Sequence, residues 1–213
     1  SLSMRTTWRD GEQAKKVTSP VSLIVTAFAS LGDVRGTLTP QLNATEDTSL
    51  ILVDLGQGRM RMGGSVLGQI HQQAGDVVPD LDDPKLLRAL AAALHELRAA
   101  DQVLAYHDRG DGGLWATVCE MAFAGHLGVS LNLDILVTQG DGISDSRADH
   151  GDSKNWASQV SARRDELSLR ALFNEELGVV LQVKTADRDA VMQVLREHGL
   201  SRHSHFVGKT RPA

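Results

Sequence analysis

Hydrophobic and polar residues follow one another along the chain in blocks that predict strands and helices in turn. Short apolar runs bounded by glycine or polar residues indicate strands, whereas apolar residues three or four positions apart indicate helices. On this basis we predict strands at 19–29, 50–56, 102–107, 128–136, 179–185 and 204–210. We predict helices at 63–75, 83–101, 113–124, 167–178 and 188–199.

This alternation predicts the fold class. Strands and helices that follow one another in this way form a layered α/β or α+β domain, with one sheet flanked by helices on at least one face. Residues 138–165 interrupt the pattern, because they are rich in aspartate, serine, glycine and arginine and poor in aliphatic residues. We predict an exposed loop without regular structure there.

Composition and charge disfavour several classes of function and leave the predicted fold unchanged. The chain has 213 residues and a formal net charge of −5, which disfavours nucleic acid or an anionic membrane as a partner, since both favour a basic surface. A small anionic ligand stays compatible, because it needs only a few local donors. The single cysteine, Cys119, allows no internal disulfide and fits a cytoplasmic location. No apolar run approaches the roughly 18 residues of a membrane span.

The motif HDRGDGG, residues 107–113, concentrates chemistry just ahead of a predicted helix. A strand that ends at His107 places Asp108 and Asp111 at a sheet edge, where ligands of α/β folds tend to bind. The glycines permit close backbone approach, the helix N-terminus favours phosphate, and a carboxylate beside phosphate suits Mg²⁺. The alternative is a tight turn in which Asp111 is only an N-cap. Spacing alone leaves both interpretations open.

Two further segments are candidate sites. Gly63, Gly64 and Ser65 open a predicted helix and form a weak phosphate-binding pattern; a glycine turn with a serine cap is the favoured interpretation, because the P-loop lysine is absent. The residues NEE at 174–176 place two carboxylates at a helix end, against the helix dipole. A ligand, a cation or an arginine could compensate them, or they form a solvated surface pair. We expect the histidines of HSH, 203–205, at the surface.

Several long motifs resemble one enzyme family. HDRGDGGLWATVCEMAFAGHLGV, TSPVSLIVTAFASLGDVRGTLTPQL and LFNEELG are similar to segments of phosphoribosylformylglycinamidine synthase, the amidotransferase of purine synthesis, and they occur in that family's order. The resemblance covers almost the whole chain except residues 138–165, which look like an insertion.

The resemblance implies a domain organisation. The family carries two tandem copies of an ATP-binding fold shared with aminoimidazole ribonucleotide synthase. Residues 1–42 would be the tail of the second N-terminal subdomain, and residues 43–213 the second C-terminal subdomain, with the polar insertion at about 138–165. The partners would be the first ATP-binding half and the glutaminase domain of the synthase. The polar start, which resembles an internal segment, leads us to expect a fragment that is inactive alone.

The resemblance also implies a reaction and a site. The parent enzyme would convert formylglycinamide ribonucleotide, ATP and glutamine to formylglycinamidine ribonucleotide, ADP, phosphate and glutamate. Asp108 matches a Mg²⁺ ligand at the nucleotide site, and Gly110 occupies a nucleotide-binding position that is usually serine. The ATP or ADP held there would be auxiliary rather than consumed. The alternatives are a non-catalytic structural half, or another ATP-dependent member of the superfamily that includes selenophosphate synthetase.

Overall fold

A computed structural model describes residues 5–18, 25–44, 47–75, 77–141 and 153–212. The chain divides into two compact units, Ser1–Arg35 and Gly36–Ala213. In the first unit, β1 (Arg5–Asp10) pairs with β2 (Gln13–Thr18) as an antiparallel hairpin. The predicted division after residue 42 stays a prediction.

The second unit is built on one five-stranded sheet. Its strands are β3 (Thr48–Asp54), β4 (Ala105–Asp108), β5 (Gly128–Leu131), β6 (Gly178–Lys184) and β7 (Ser204–Arg211). They lie in the order β4-β6-β3-β7-β5, and every neighbouring pair is antiparallel. Strands β3 and β4 therefore run in the same direction, and both finish at the end of the sheet where β6 begins.

Helices cover both faces of this sheet. They are α1 (Val66–Ile70), α2 (Pro84–Ala99), α3 (Gly113–Gly125), α4 (Asp134–Asp141), α5 (Ser153–Phe173) and α6 (Arg188–Glu197). One buried cluster joins the sheet to α2 and α6, and a second joins its other face to α3, α4 and α5. The predicted layered sheet flanked by helices is confirmed.

The apolar residues of the central strand β3 pack against the helices on both faces of the sheet. Successive side chains of a strand point to opposite faces. Ile51 and Val53 accordingly pack in the cluster with α2 and α6, whereas Leu50 and Leu52 pack in the cluster on the other face. All seven residues of β3 are buried, which is why its central residues 50–53 are continuously apolar rather than alternating.

Several predicted elements differ from the observed ones. The exposed loop expected at 138–165 is wrong for 138–141 and 153–165, which are helical, while residues 142–152 lie outside the described part of the chain. A helix with few aliphatic residues has a composition similar to that of a loop, so composition alone does not distinguish the two. The predicted strand 128–136 ends at Leu131, because α4 begins at Asp134.

The predicted strand at 19–29 is the largest error in the first unit. Residues 19–24 lie outside the described residues, and residues 25–29 have no regular structure. Val25 and Phe28 are 75% and 92% exposed. A strand needs a partner for its backbone groups, and the strand pairing described in this unit is between β1 and β2.

Candidate functional site

Three connecting segments meet at the end of the sheet where β3 and β4 finish. The register pairs Asp54 with Gly178 and Asp108 with Val179, so the last residues of both strands flank the start of β6. The segments are 54–65, which leads to α1, 108–113, which leads to α3, and 174–178, which joins α5 to β6. The sheet therefore brings together all three sequence motifs that were candidate sites.

Arg109 is a buried cation that links these segments. Its guanidinium pairs with the carboxylate of Asp54, and its Nε and Nη2 donate to the carbonyl oxygens of Glu176 and Leu177 at 2.5 and 3.1 Å. Its backbone amide donates to the carbonyl of Gly178 at 2.9 Å. Because one guanidinium offers five donors in a fixed geometry, a single side chain holds β3, the 108–113 loop and the start of β6 together.

The carboxylate of Asp54 is also held by its own turn. The amides of Gly56 and Gly58 donate to it at 3.2 and 2.8 Å. Burial raises the pKa of Asp54, but the charge of Arg109 and the hydrogen bonds outweigh burial, so this pKa lies below its usual value. Asp54 is thus ionised at neutral pH, as the counter-ion of Arg109.

A second buried ion pair lies next to the first. Glu176 is fully buried, and Nε and Nη2 of Arg61 donate to its two carboxylate oxygens at 2.7 Å each. The same guanidinium reaches Asp82, 2.7 Å from Nη2. A Cβ at Gly56 would lie 2.6 Å from the Cβ of Glu176, so the glycine makes this packing possible. Of the interpretations for residues 174–176, an arginine partner is confirmed for Glu176, and a solvated surface position is wrong for it.

The other two residues of NEE have different roles. Asn174 is buried and closes the end of α5, since its Nδ2 donates to the carbonyl of Arg170 at 2.6 Å. Glu175 faces the two glycine-rich loops instead. Its Oε1 accepts the backbone amide of Val66 at 2.8 Å and that of Gly112 at 2.9 Å. One carboxylate oxygen therefore bridges the starts of α1 and α3.

The residues predicted to hold metal and nucleotide lie on the outside of this network. Asp108 and Gly110 are exposed, one on each side of buried Arg109. The hydroxyl of Tyr106 donates to the carboxylate of Asp108. Burial and the neighbouring Asp108 raise the pKa of Tyr106, so this hydroxyl keeps its proton. The structure places Asp108 and Gly110 together in one short exposed loop, and their ligand roles stay predictions.

The expected N-cap at Asp111 is wrong. Helix α3 begins at Gly113 with Gly112 as its N-cap, and no side chain of the cap residue bonds to the helix. Gly112 has a φ of +80° and Gly113 a φ of +66°, a left-handed conformation that glycine adopts without the strain of a side chain. The acceptor for the amide of Gly112 comes from Glu175, across the fold.

The backbone amides of the glycine turn before α1 are all hydrogen-bonded to carbonyls of this chain. The amides of Gly63, Gly64 and Ser65 donate to the carbonyls of Val77, Ala74 and Met62 at 2.7, 2.7 and 3.2 Å. Ser65 is the N-cap of α1, and its hydroxyl accepts the amide of Gly68 at 3.2 Å. The glycine turn with a serine cap is confirmed. The geometry adds no support for phosphate at residues 63–65, which stays a prediction.

Sequence reasoning missed the residues that hold this end of the sheet. No sequence motif indicates a role for Asp54 or Arg61, and Arg109 is only one of several charges within HDRGDGG. A weak signal existed for Asp54, since a lone aspartate that ends a buried strand must find a partner. The surface position expected for HSH is wrong for His205, which is buried and whose pKa is lowered by burial.

Comparison with known proteins decides the family. The family described as AIR synthase related protein, C-terminal domain, matches residues 46–212, which is more than half of the chain. The chain belongs to this family. A second family, described as the FGAR-AT PurM_N-like domain, matches residues 1–30.

Solved structures show the same fold in larger proteins. The structure of PurLQS from Thermotoga maritima matches with a TM-score of 0.53 and 16% identity, over 81% of this chain and 23% of that one. T. maritima PurL complexed with FGAR matches with a TM-score of 0.55 and 15% identity, over 84% and 26%. T. maritima PurL complexed with ATP gives 0.51 and 15%, over 83% and 23%. The chain spans about a quarter of the length of these relatives. Among the helices of the described residues, none has the length and apolarity to cross a membrane.

Proposed function

We propose that this chain is the second ATP-fold segment of a phosphoribosylformylglycinamidine synthase. The carrying observation is the pair of family matches on one chain, with the FGAR-AT domain at residues 1–30 followed by the AIR synthase related domain at 46–212. The parent enzyme is an ATP-dependent C–N ligase of the glutamine amidotransferase type. Its first ATP-binding half and its glutaminase domain are the partners of this segment.

The reaction places clear demands on the protein. The amide oxygen of formylglycinamide ribonucleotide is phosphorylated by ATP, and ammonia from glutamine then displaces phosphate to give the amidine. The first step transfers an anionic phosphoryl group and the second releases anionic phosphate, so positioning and charge neutralisation are the main aids to catalysis. The role proposed for this segment is to hold an auxiliary ADP or ATP that supports the fold of the intact enzyme.

The 108–113 loop, in which Asp108, Gly110 and Asp111 are exposed, suits such a nucleotide site. Bound Mg²⁺ neutralises phosphate oxygens, and it is usually held by one or two carboxylates together with phosphate and water. Asp108 offers one exposed carboxylate, oriented by Tyr106. In the ranges that the structure describes, no three His, Cys, Asp or Glu side chains lie close enough to hold a metal. In this proposal, Asp108 supplies one carboxylate ligand to Mg²⁺, and Gly110 is the adjacent backbone contact.

A purely structural role is the second candidate. It is favoured by the burial of two ion pairs, Asp54–Arg109 and Arg61–Glu176, at the end of the sheet where the loops meet. These charges neutralise each other within the chain and hold loops in place. The two candidates differ in one respect, since only the first requires nucleotide beside Asp108.

Nucleotide and metal content of the intact synthase test the proposal. We expect Asp108→Asn to lower the affinity for Mg²⁺ and ADP by at least about tenfold, because the amide lacks the ligand charge. Asp111→Asn is the matched control, since Asp111 is an exposed acid of the same loop. Full ADP and Mg²⁺ content in the Asp108→Asn enzyme contradicts the metal assignment and favours the structural role.

The 213-residue chain offers a second test. We expect no synthase turnover from it with ATP, ammonia and formylglycinamide ribonucleotide, because the first ATP-binding half carries the consumed nucleotide in this proposal. Measurable formation of the amidine by this chain would show that the assignment of an auxiliary role is wrong.

A further inference from the structure

The geometry points to Glu175 as the positioning residue of the 108–113 loop. Its Oε1 accepts the amide of Gly112, the N-cap of α3, and also the amide of Val66, the first residue of α1. These amides belong to helix starts, where the first N–H groups have no partner within the helix. An ionised carboxylate is the strongest acceptor that a side chain can offer them.

Helix α3 depends on this acceptor from another part of the chain. Its N-cap is a glycine, which supplies no side-chain oxygen, whereas α1 has the hydroxyl of Ser65. The positive end of α3 is thus met by a carboxylate that follows α5, a favourable arrangement for the helix dipole. Glu175 accepts the amide of the N-cap residue itself, as the N3 carboxylate does in a capping box, and at the same time links the start of α3 to that of α1.

Close backbone packing makes this contact possible. A Cβ at Gly113 would lie 2.6 Å from the carbonyl oxygen of Asn174 and 2.7 Å from that of Leu172. The first residue of α3 therefore packs directly against the backbone of residues 172–174, just before Glu175. A bulkier residue at position 113 would move Gly112 away from the carboxylate.

The 108–113 loop is consequently fixed at both ends by one short segment. At its beginning, Arg109 bonds to the carbonyls of residues 176–178. At its end, Gly112 bonds to Glu175. Gly110 lies between these points, and Asp108 directly precedes the first of them as the last residue of β4, paired with Val179. We call the bonds of Arg109 and Gly112 to residues 175–178 the clamp. A loop that is already ordered loses less conformational entropy when a ligand binds, so the clamp raises ligand affinity without contacting the ligand.

This inference rests on the proposed function, because it assumes that Asp108 and Gly110 contact ADP and Mg²⁺. In the intact synthase, we expect Glu175→Ala to raise the Kd for ADP with Mg²⁺ by roughly tenfold, as for the loss of charged hydrogen bonds. Glu175→Gln keeps an oxygen at the same reach, so we expect it to restore the Kd to within about threefold. Glu197→Ala is the matched control, since Glu197 is bonded to Gln193 on its own helix.

Amide hydrogen exchange of the same variants reports the clamp without any nucleotide. We expect faster exchange in peptides that cover 110–114 and 64–68 in Glu175→Ala, and near wild-type exchange in Glu175→Gln. Unchanged exchange in Glu175→Ala overturns the clamp. If the alanine variant does not fold, Glu175→Asp, whose carboxylate is one methylene shorter, takes its place.

The two measurements separate this inference from the proposed function. Absence of ADP binding in the wild-type synthase would contradict the proposed function. Hydrogen exchange would still show whether Glu175 orders the 108–113 loop. Normal ADP binding by the wild type and by Glu175→Ala sinks the positioning role alone. Tighter binding by Glu175→Gln or Glu175→Ala also overturns it, since Glu175 would then be an anion that competes with phosphate.

Discussion

The two glycine-rich loops at the end of the sheet share several contacts but differ in how their helices are capped and in which groups are exposed. Both open a helix, both contain an arginine that pairs with a buried carboxylate, and both donate an amide to Oε1 of Glu175. In the loop before α1, the amides of residues 63–65 donate to backbone carbonyls of the same chain, and Ser65 is the N-cap of the helix. Both loops contain left-handed glycines, but the loop before α3 has no side-chain cap and carries an exposed carboxylate at Asp108.

This difference separates a structural glycine turn from a candidate ligand loop. Glycine at a helix start is common to both, so glycine alone does not mark a phosphate site. What distinguishes the α3 loop is a buried anchor, Arg109, with exposed groups on each side of it. The α1 loop turns its polar groups inward, where they satisfy one another.

The largest expected effect comes from removing either anchor. We expect Arg109→Met or Arg61→Met to lower the free energy of unfolding by about 3–5 kcal/mol, because each leaves a buried carboxylate without its cation. Urea denaturation of the 213-residue chain at pH 7 measures this loss. Arg35→Met is the matched control, since Arg35 pairs with Asp33 at an exposed position, where the loss of an ion pair changes stability little. An equally small loss at position 109 would mean that Arg109 does not anchor the loop.

A glycine substitution in each loop gives the next largest contrast. We expect Gly113→Ala to cost roughly 3 kcal/mol, since φ is +66° and the new Cβ would meet backbone oxygens at 2.6 and 2.7 Å. Gly64→Ala has a φ of +73°, but the nearest atom to its Cβ is a methyl of Val78 at 3.9 Å. Backbone strain alone then costs about 1–2 kcal/mol. Urea midpoints compare the two variants, and equal losses would remove the distinction in packing between the loops.

Sequence patterns predicted the features of these loops that depend on neighbouring residues. The serine cap of α1, the helix after HDRGDGG and the long helix α2 all follow from local spacing, and each is present. The contacts that define the site are tertiary. Arg109 meets Asp54 across 55 positions of the chain, and Glu175 meets Val66 across 109. Nothing in the local pattern around either residue specifies a partner at that distance.

The same limit explains the misplaced cap and the missed helix. Asp111 has the right residue type and spacing for an N-cap, but the close approach of Gly113 to residues 172–174 sets a backbone in which Glu175 serves instead. The polar stretch before Leu167 belongs to a helix whose stability depends on packing against α3 and α4. Composition alone does not contain that information.

Acid titration tests the anchor of the α3 loop by a smaller effect. The pKa of Asp54 is depressed in the folded state, so its contribution to stability is complete above the unfolded pKa of about 3.9 and is lost as the pH falls through the folded value. We expect the urea midpoint of the wild type to fall more steeply below about pH 4 than that of Asp54→Asn. Parallel curves for the two proteins would contradict the assignment of Asp54 as an ionised partner.

The smallest expected effect separates the two helix starts most cleanly. Ser65→Ala removes a hydroxyl that accepts the amide of Gly68, so we expect a loss of about 1 kcal/mol in the free energy of unfolding. Asp111→Ala removes a side chain that does not cap α3, and we expect a change below about 0.5 kcal/mol, as for an ordinary surface substitution. Residue type alone predicts equal losses, since serine and aspartate are both good N-caps. A loss near 1 kcal/mol at Asp111 would therefore mean that the side chain of Asp111 does cap α3.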